Sequence, residues 1–155
     1  MDSIPIILKC PSQNKVYNIQ ITSDITPLNI EQEFKEQCFT KEQNLNFFYN
    51  NLLLKHQVPL SQQEIVKGSI LLISLQTFSI QIQISSKNKK YCVEIGDFMT
   101  TDNLSQILIQ MQPFSEVQFY LNQKLLKPDD SLINQEVQAN SIVDANIKQQ
   151  GGQEF

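Results

Sequence analysis

One stretch of this chain is written twice. Shifting the sequence by 72 positions lays Phe47 on Phe119, Asn50 on Asn122, Leu53-Leu54-Lys55 on Leu125-Leu126-Lys127 and Leu60 on Leu132. The same shift lays Gln63-Glu64 on Gln135-Glu136 and Ser69-Ile70 on Ser141-Ile142, making ten identities in 29 positions without a gap. Self-similarity at a fixed period marks repeated structural units. A chain of 155 residues has room for one average domain or two very small ones, and the repeat selects two.

The elements recur in the same order. Ile4, Ile6, Leu8 and Cys10 alternate, Pro11-Ser12-Gln13-Asn14 is a turn cluster, and Tyr17, Ile19 and Ile21 alternate again. Two such runs joined by a short polar turn predict a β-hairpin. Thr26 and Pro27 suit the cap and first position of a helix. Its apolar stripe is Ile30, Phe34 and Cys38, with Glu31, Gln32, Glu33, Lys35 and Glu36 assigned to the other side. Residues 45–49, 52–54 and 69–75 read as three further strands, with Asn50-Asn51 as a turn. The second copy repeats this with Ile80, Ile82 and Ile84, then Tyr91, Val93 and Ile95. A helix capped by Thr101 or Asp102 follows, with the stripe Leu104, Ile107, Leu108 and Met111 stopped by Pro113, then strands over 117–121 and 141–147.

Composition narrows the function. The net charge is −4 and all twelve basic residues are lysine. Nucleic-acid binding leans on clustered Lys and Arg, and the local group Lys87, Lys89 and Lys90 reads as a solvated turn. No apolar run has the length of a membrane span, and Met1-Asp2-Ser3-Ile4-Pro5 lacks a secretory pattern. Cys10, Cys38 and Cys92 are odd in number and widely spaced, which suits reduced thiols and a cytoplasmic or nuclear setting. The 34 Gln and Asn residues are interleaved with apolar ones, unlike a disordered polar tract.

Enzyme chemistry is not expected. His56 is the single histidine and lies in a polar loop, whereas Cys10 and Cys38 fall on core-facing stripes, so no Cys-His nucleophile pair is predicted. Asp129-Asp130 after Pro128 is a turn signature. No phosphate-cradling glycine loop occurs. Neither a cofactor, a metal nor a small-molecule substrate is expected.

The sharp signal is Gly151-Gly152, two of only four glycines, placed after the last expected strand and before Gln153-Glu154-Phe155. Residues without a side chain suit a backbone that must thread a narrow slot.

Hairpin, helix, strand, short strand and final strand in about 75 residues is the β-grasp order, and the sequence resembles ubiquitin. Residues 119–152 align without a gap, matching Lys124, Leu126, Leu132, Ser141, Gly151 and Gly152. Residues 47–75 align as well, matching Leu54, Leu60, Ser61, Ile65, Lys67, Ser69, Leu71 and Leu75. A head-to-tail pair ending in Gly-Gly is similar to the two-domain ubiquitin-like modifiers or a diverged diubiquitin. The resemblance implies an α+β fold of two tandem β-grasp domains, residues 1–76 and 78–152, each a mixed twisted sheet packed on one helix. Residues 153–155 become a removable extension. It further implies processing after Gly152, conjugation to lysines of target proteins, and protein partners: activating and conjugating enzymes and a protease. Lys148 stands where the activating enzyme reads an arginine, and lysine is not an equivalent replacement.

Two departures favour an alternative, a non-covalent adaptor or a subunit of a larger assembly. The join carries Gln76-Thr77 and no Gly-Gly, and ubiquitin's apolar recognition patch is rewritten as Phe48 and Ser74 in the first copy and Tyr120 and Asn146 in the second. Phe48 and Tyr120 are then candidate aromatic anchors or half-buried sheet residues.

Overall fold

The computed structural model describes residues 3–37, 39 and 44–148, with the side chains of residues 36 and 37 left out. The chain divides into two compact units between Thr77 and Phe78.

Unit 1 begins with β1 (Ser3–Cys10) and β2 (Lys15–Thr22), paired antiparallel in a regular register from Ser3 opposite Thr22 to Cys10 opposite Lys15. The turn is a 3-10 segment over Pro11–Gln13 that ends at Asn14 with φ of 53°, a left-handed geometry that Asn tolerates. Helix α1 (Pro27–Gln37) starts with Pro at its first position. Both the amide and the hydroxyl of Thr26 donate to Asn29 Oδ1, at 3.0 and 2.9 Å, and the Asn29 amide returns to Thr26 Oγ1 at 3.2 Å. This reciprocal cap satisfies donors that the first turn leaves open. Then follow β3 (Asn46–Tyr49), β4 (Leu52–Leu53) and β5 (Ile70–Ser74). Asn50 and Asn51, with φ of 50° and 66°, turn the β3–β4 hairpin. The sheet order is β2-β1-β5-β3-β4, with β1 and β5 parallel and β3 antiparallel to both its neighbours. It is a mixed sheet with the central pair parallel.

Unit 2 repeats the plan with β6 (Thr77–Ile84), β7 (Lys89–Gly96), α2 (Thr101–Met111), β8 (Glu116–Leu121), β9 (Lys124–Leu125) and β10 (Ile142–Lys148). The order β7-β6-β10-β8-β9 again sets the last strand parallel to the first. Both units are therefore α+β with a five-stranded mixed sheet and one helix, a β-grasp-like arrangement.

The two cores confirm the period-two and helical stripes. Ile6, Leu8, Cys10, Ile21, Ile30, Phe47, Leu71 and Ile73 are buried together in unit 1. In unit 2, Ile80, Ile82, Ile84, Val93, Ile95, Leu104, Ile107, Leu108 and Phe119 are buried. Burial of such apolar surface dominates the favourable free energy of folding.

Even the loops are duplicated. Gln63 Oε1 accepts from the Lys55 amide at 2.7 Å while its Nε2 donates to the Lys55 and Val58 carbonyls at 3.0 and 2.9 Å. Gln135 does the same with Lys127, at 2.6 and 3.2 Å, and with the carbonyl of Asp130, which stands in the place of Val58, at 3.2 Å; it adds Thr101 Oγ1 at 2.9 Å. One amide thus satisfies backbone groups that a tight loop cannot pair internally. The Gln63-Glu64 repeat is explained by this staple, together with a left-handed residue: Glu64 and Glu136 have φ of 66° and 67°.

Three sequence expectations are corrected. The cap of α2 is Thr100, not Thr101 or Asp102: the Thr100 amide donates to Asn103 Oδ1 at 2.8 Å, completing a capping box. Met111 is exposed at 39%, because the helix ends there and no further turn remains to seat it. Glu31, assigned to the outer side of α1, is only 8% exposed, and the reason lies in what it binds. Cys38 lies outside the described residues.

Candidate functional site

The end of unit 2 presents the best-defined route to the tail. Strand β10 is paired antiparallel with β8 from Asp144 opposite Tyr120 down to Lys148 opposite Glu116. The Ser115 amide extends the zipper by donating to the Lys148 carbonyl at 2.7 Å. The last strand is thus held by sheet hydrogen bonds up to Lys148, four residues before Gly152 in the sequence. Gly151 and Gly152 themselves lie outside the described residues.

Lys148 is solvent-exposed, with 63% of its side-chain surface open and its Nζ 4.0 Å from Glu116 Oε2. An exposed pair at that distance holds weakly, so the ammonium is available to a partner. Beside it a groove of about 580 Å³ is lined by Phe114, Val117, Pro128 and Ile147, with Ser105 and Lys148 among its polar margin.

The candidate aromatic pair is split by the structure. Phe48 is only 1% exposed, so it is not an open anchor. In register, Phe48 lies in β3 between Leu53 of β4 and Leu72 of β5. Tyr120 occupies the same place in unit 2 but faces Leu125 and Asp144. It is half-buried, and its hydroxyl donates to Gln118 Oε1 at 3.1 Å. Of the two other patch positions, Ser74 is fully buried, with its hydroxyl bonded to the Gln76 carbonyl, and Asn146 is exposed.

A polar cluster in unit 1 escaped the sequence reading. Glu31 Oε1 lies 2.8 Å from His56 Nε2, and Glu31 Oε2 accepts from the Leu45 amide at 2.7 Å. Lys35 Nζ, one helical turn on, stands 3.8 Å from Oε2. Burial pushes the Glu31 carboxyl up, but the His56 hydrogen bond, the Leu45 amide and the charges of His56 and Lys35 outweigh it, leaving the group below its usual range. An i,i+4 Glu–Lys spacing is visible in the sequence; the 25-residue separation of Glu31 and His56 gives no local signal.

His56 therefore engages a carboxylate, while Cys10 is buried elsewhere in the core and Cys92 is exposed. Among the described residues, no group of three His, Cys, Asp or Glu side chains could hold a metal ion, and no helix is long and apolar enough to cross a membrane.

No protein-family model matches the chain, and no curated protein matches it. Among solved structures, the NMR solution structure of a computational designed protein based on the template of human erythrocytic ubiquitin is similar over 50% of this chain and 99% of its own length. That similarity has 22% sequence identity and a TM-score of 0.43.

Proposed function

We propose that the chain is a ubiquitin-like modifier of other proteins, processed after Gly152 and joined through that residue to lysine amines. The observation that carries this reading is the β10–β8 zipper ending at Lys148, which sets an anchored strand directly ahead of Gln149-Gln150-Gly151-Gly152. The chemistry is simple. A protease adds water across the Gly152–Gln153 peptide bond; an activating enzyme spends a nucleoside triphosphate to convert the new carboxylate to a thioester. A target lysine amine then attacks the carbonyl and expels the thiol. Gly151 and Gly152 leave the backbone bare for enzymes that must close around it, and exposed Lys148 offers one cation for the activating enzyme.

A second reading, a non-covalent adaptor or assembly subunit, draws support from the rewritten sheet face. Phe48 is buried, and Asp144 stands beside Tyr120. Receptors selected for an apolar patch would there meet a carboxylate whose desolvation costs binding free energy.

Expression of the tagged chain in its own cells separates the two. The modifier reading expects higher-mass conjugates that disappear with Gly152→Ala while the free protein remains folded. Persistence of only free full-length chain in both would leave the adaptor.

A further inference from the structure

The Glu31 carboxylate joins three parts of unit 1. It sits on α1, its Oε2 holds the amide of Leu45 just ahead of β3, and its Oε1 holds the ring of His56 in the loop after β4. The His56 backbone carbonyl also accepts from the Leu28 amide at 3.0 Å, so that loop is tied to α1 at two points. We propose that the Glu31–His56 pair is a pH-sensitive tie, tightening the hold on the start of β3 when the His56 ring is protonated and releasing it when Glu31 is protonated.

The geometry supplies the parts a switch needs. An imidazole changes charge in the range of pH 5 to 8 under ordinary conditions, and His56 is the single histidine of the chain. Its side chain is one-third exposed, at 33%, whereas that of Glu31 is 11% exposed. A cavity of about 450 Å³ opens beside both, with Asn44, Asn46 and Gln76 on its wall, so protons reach the pair. Among the described residues, the charged groups facing Glu31 are His56 from the loop and Lys35 from its own helix. Lys35 also reaches Asn44 Oδ1 at 3.4 Å. Asn44, Leu45 and Asn46 bring no titratable side chain from the β3 side.

The signs follow. An imidazolium bonded to a carboxylate makes a charge-assisted contact, stronger than one from the neutral ring. Raising the pH through the ring's titration weakens it; lowering the pH until Glu31 takes a proton removes the charge that holds both His56 and Leu45. The tie is firmest between these two events. Unit 2 lacks the device. Pro128 stands in the place of His56, and Ser105, five residues after the cap Thr100, in the place of Glu31.

The test is a nuclear magnetic resonance titration of the full chain from about pH 3.5 to 8.5. The Leu45 amide and the His56 ring are followed, with the Val117 amide as the matching position in unit 2. The Leu45 amide should shift with the ring's own midpoint, and its exchange protection should fall by about threefold or more above it. His56→Gln should erase that step while leaving the low-pH step due to Glu31. A Leu45 amide that ignores the ring's midpoint, or a Val117 amide that follows it equally, overturns the proposal. The wild-type titration alone decides, so the result does not depend on the variant folding.

Discussion

The two units share a frame and differ where the inner antiparallel ladder ends. In unit 1 the β3–β5 ladder stops at Asn46 opposite Ser74, and the next backbone donor, Leu45, goes to a helix carboxylate. In unit 2 the corresponding ladder continues through Ile147 opposite Val117 and Lys148 opposite Glu116. In unit 1 a helix carboxylate satisfies the Leu45 amide; in unit 2 Ser105 stands where that carboxylate would be. The difference has a consequence for function: the start of β3 in unit 1 is bound into a local polar cluster, whereas the longer β10–β8 pairing braces β10 up to Lys148.

The largest test of this contrast is the aromatic at the centre of each outer sheet face. Phe48→Ala removes a buried ring and should destabilise unit 1 by about 3–4 kcal/mol. Tyr120→Ala, at a half-buried place with Asp144 opposite, should cost about half as much. Equal losses, read from unit-specific resonances during urea unfolding, would break the distinction; a global signal is unsuitable because two units need not unfold together.

Next comes the carboxylate. Glu31→Ala leaves the Leu45 amide and the His56 ring without their acceptor and should cost about 2–3 kcal/mol, whereas Ser105→Ala should stay within about 0.5 kcal/mol. Because the folded-state pKa of Glu31 is lowered, its contribution is present above the ordinary carboxyl range and lost as the pH falls through the folded value. Acid should therefore erode the Glu31-dependent part of unit 1's stability, a dependence that Glu31→Ala abolishes.

Smaller effects test the shared frame. Gln135→Ala should cost about 2 kcal/mol and Gln63→Ala about 1 kcal/mol, since Gln135 adds Thr101 Oγ1 to the partners it shares with its counterpart. Gly68 has φ of 83° with open space around its would-be Cβ, and Asn140 fills the matching place at φ of 67°. Gly68→Asn should then change thermal stability by less than about 0.5 kcal/mol. A larger loss would show that the two turns are not equivalent.

Much of this was legible beforehand because it rests on local pattern. Alternating Ile and Leu placed the strands; Thr-Pro, the Asn pairs and the Gly-poor turns placed their ends to within a residue or two. The α2 cap was misplaced by one residue since three successive residues, Thr100, Thr101 and Asp102, can all serve, and only the Asn103 side chain picks among them. Glu31 was misassigned for a different reason. A charged residue on a helix reads as solvent-facing, and its partners Leu45 and His56 come near only after β3 and β4 have folded.

The modifier reading meets its most direct test in the mass of the protein isolated from its own cells. A chain ending at Gly152, free or attached to lysine of another protein, is the predicted result. Recovery solely of chains that retain Phe155, with no attached species, would contradict it.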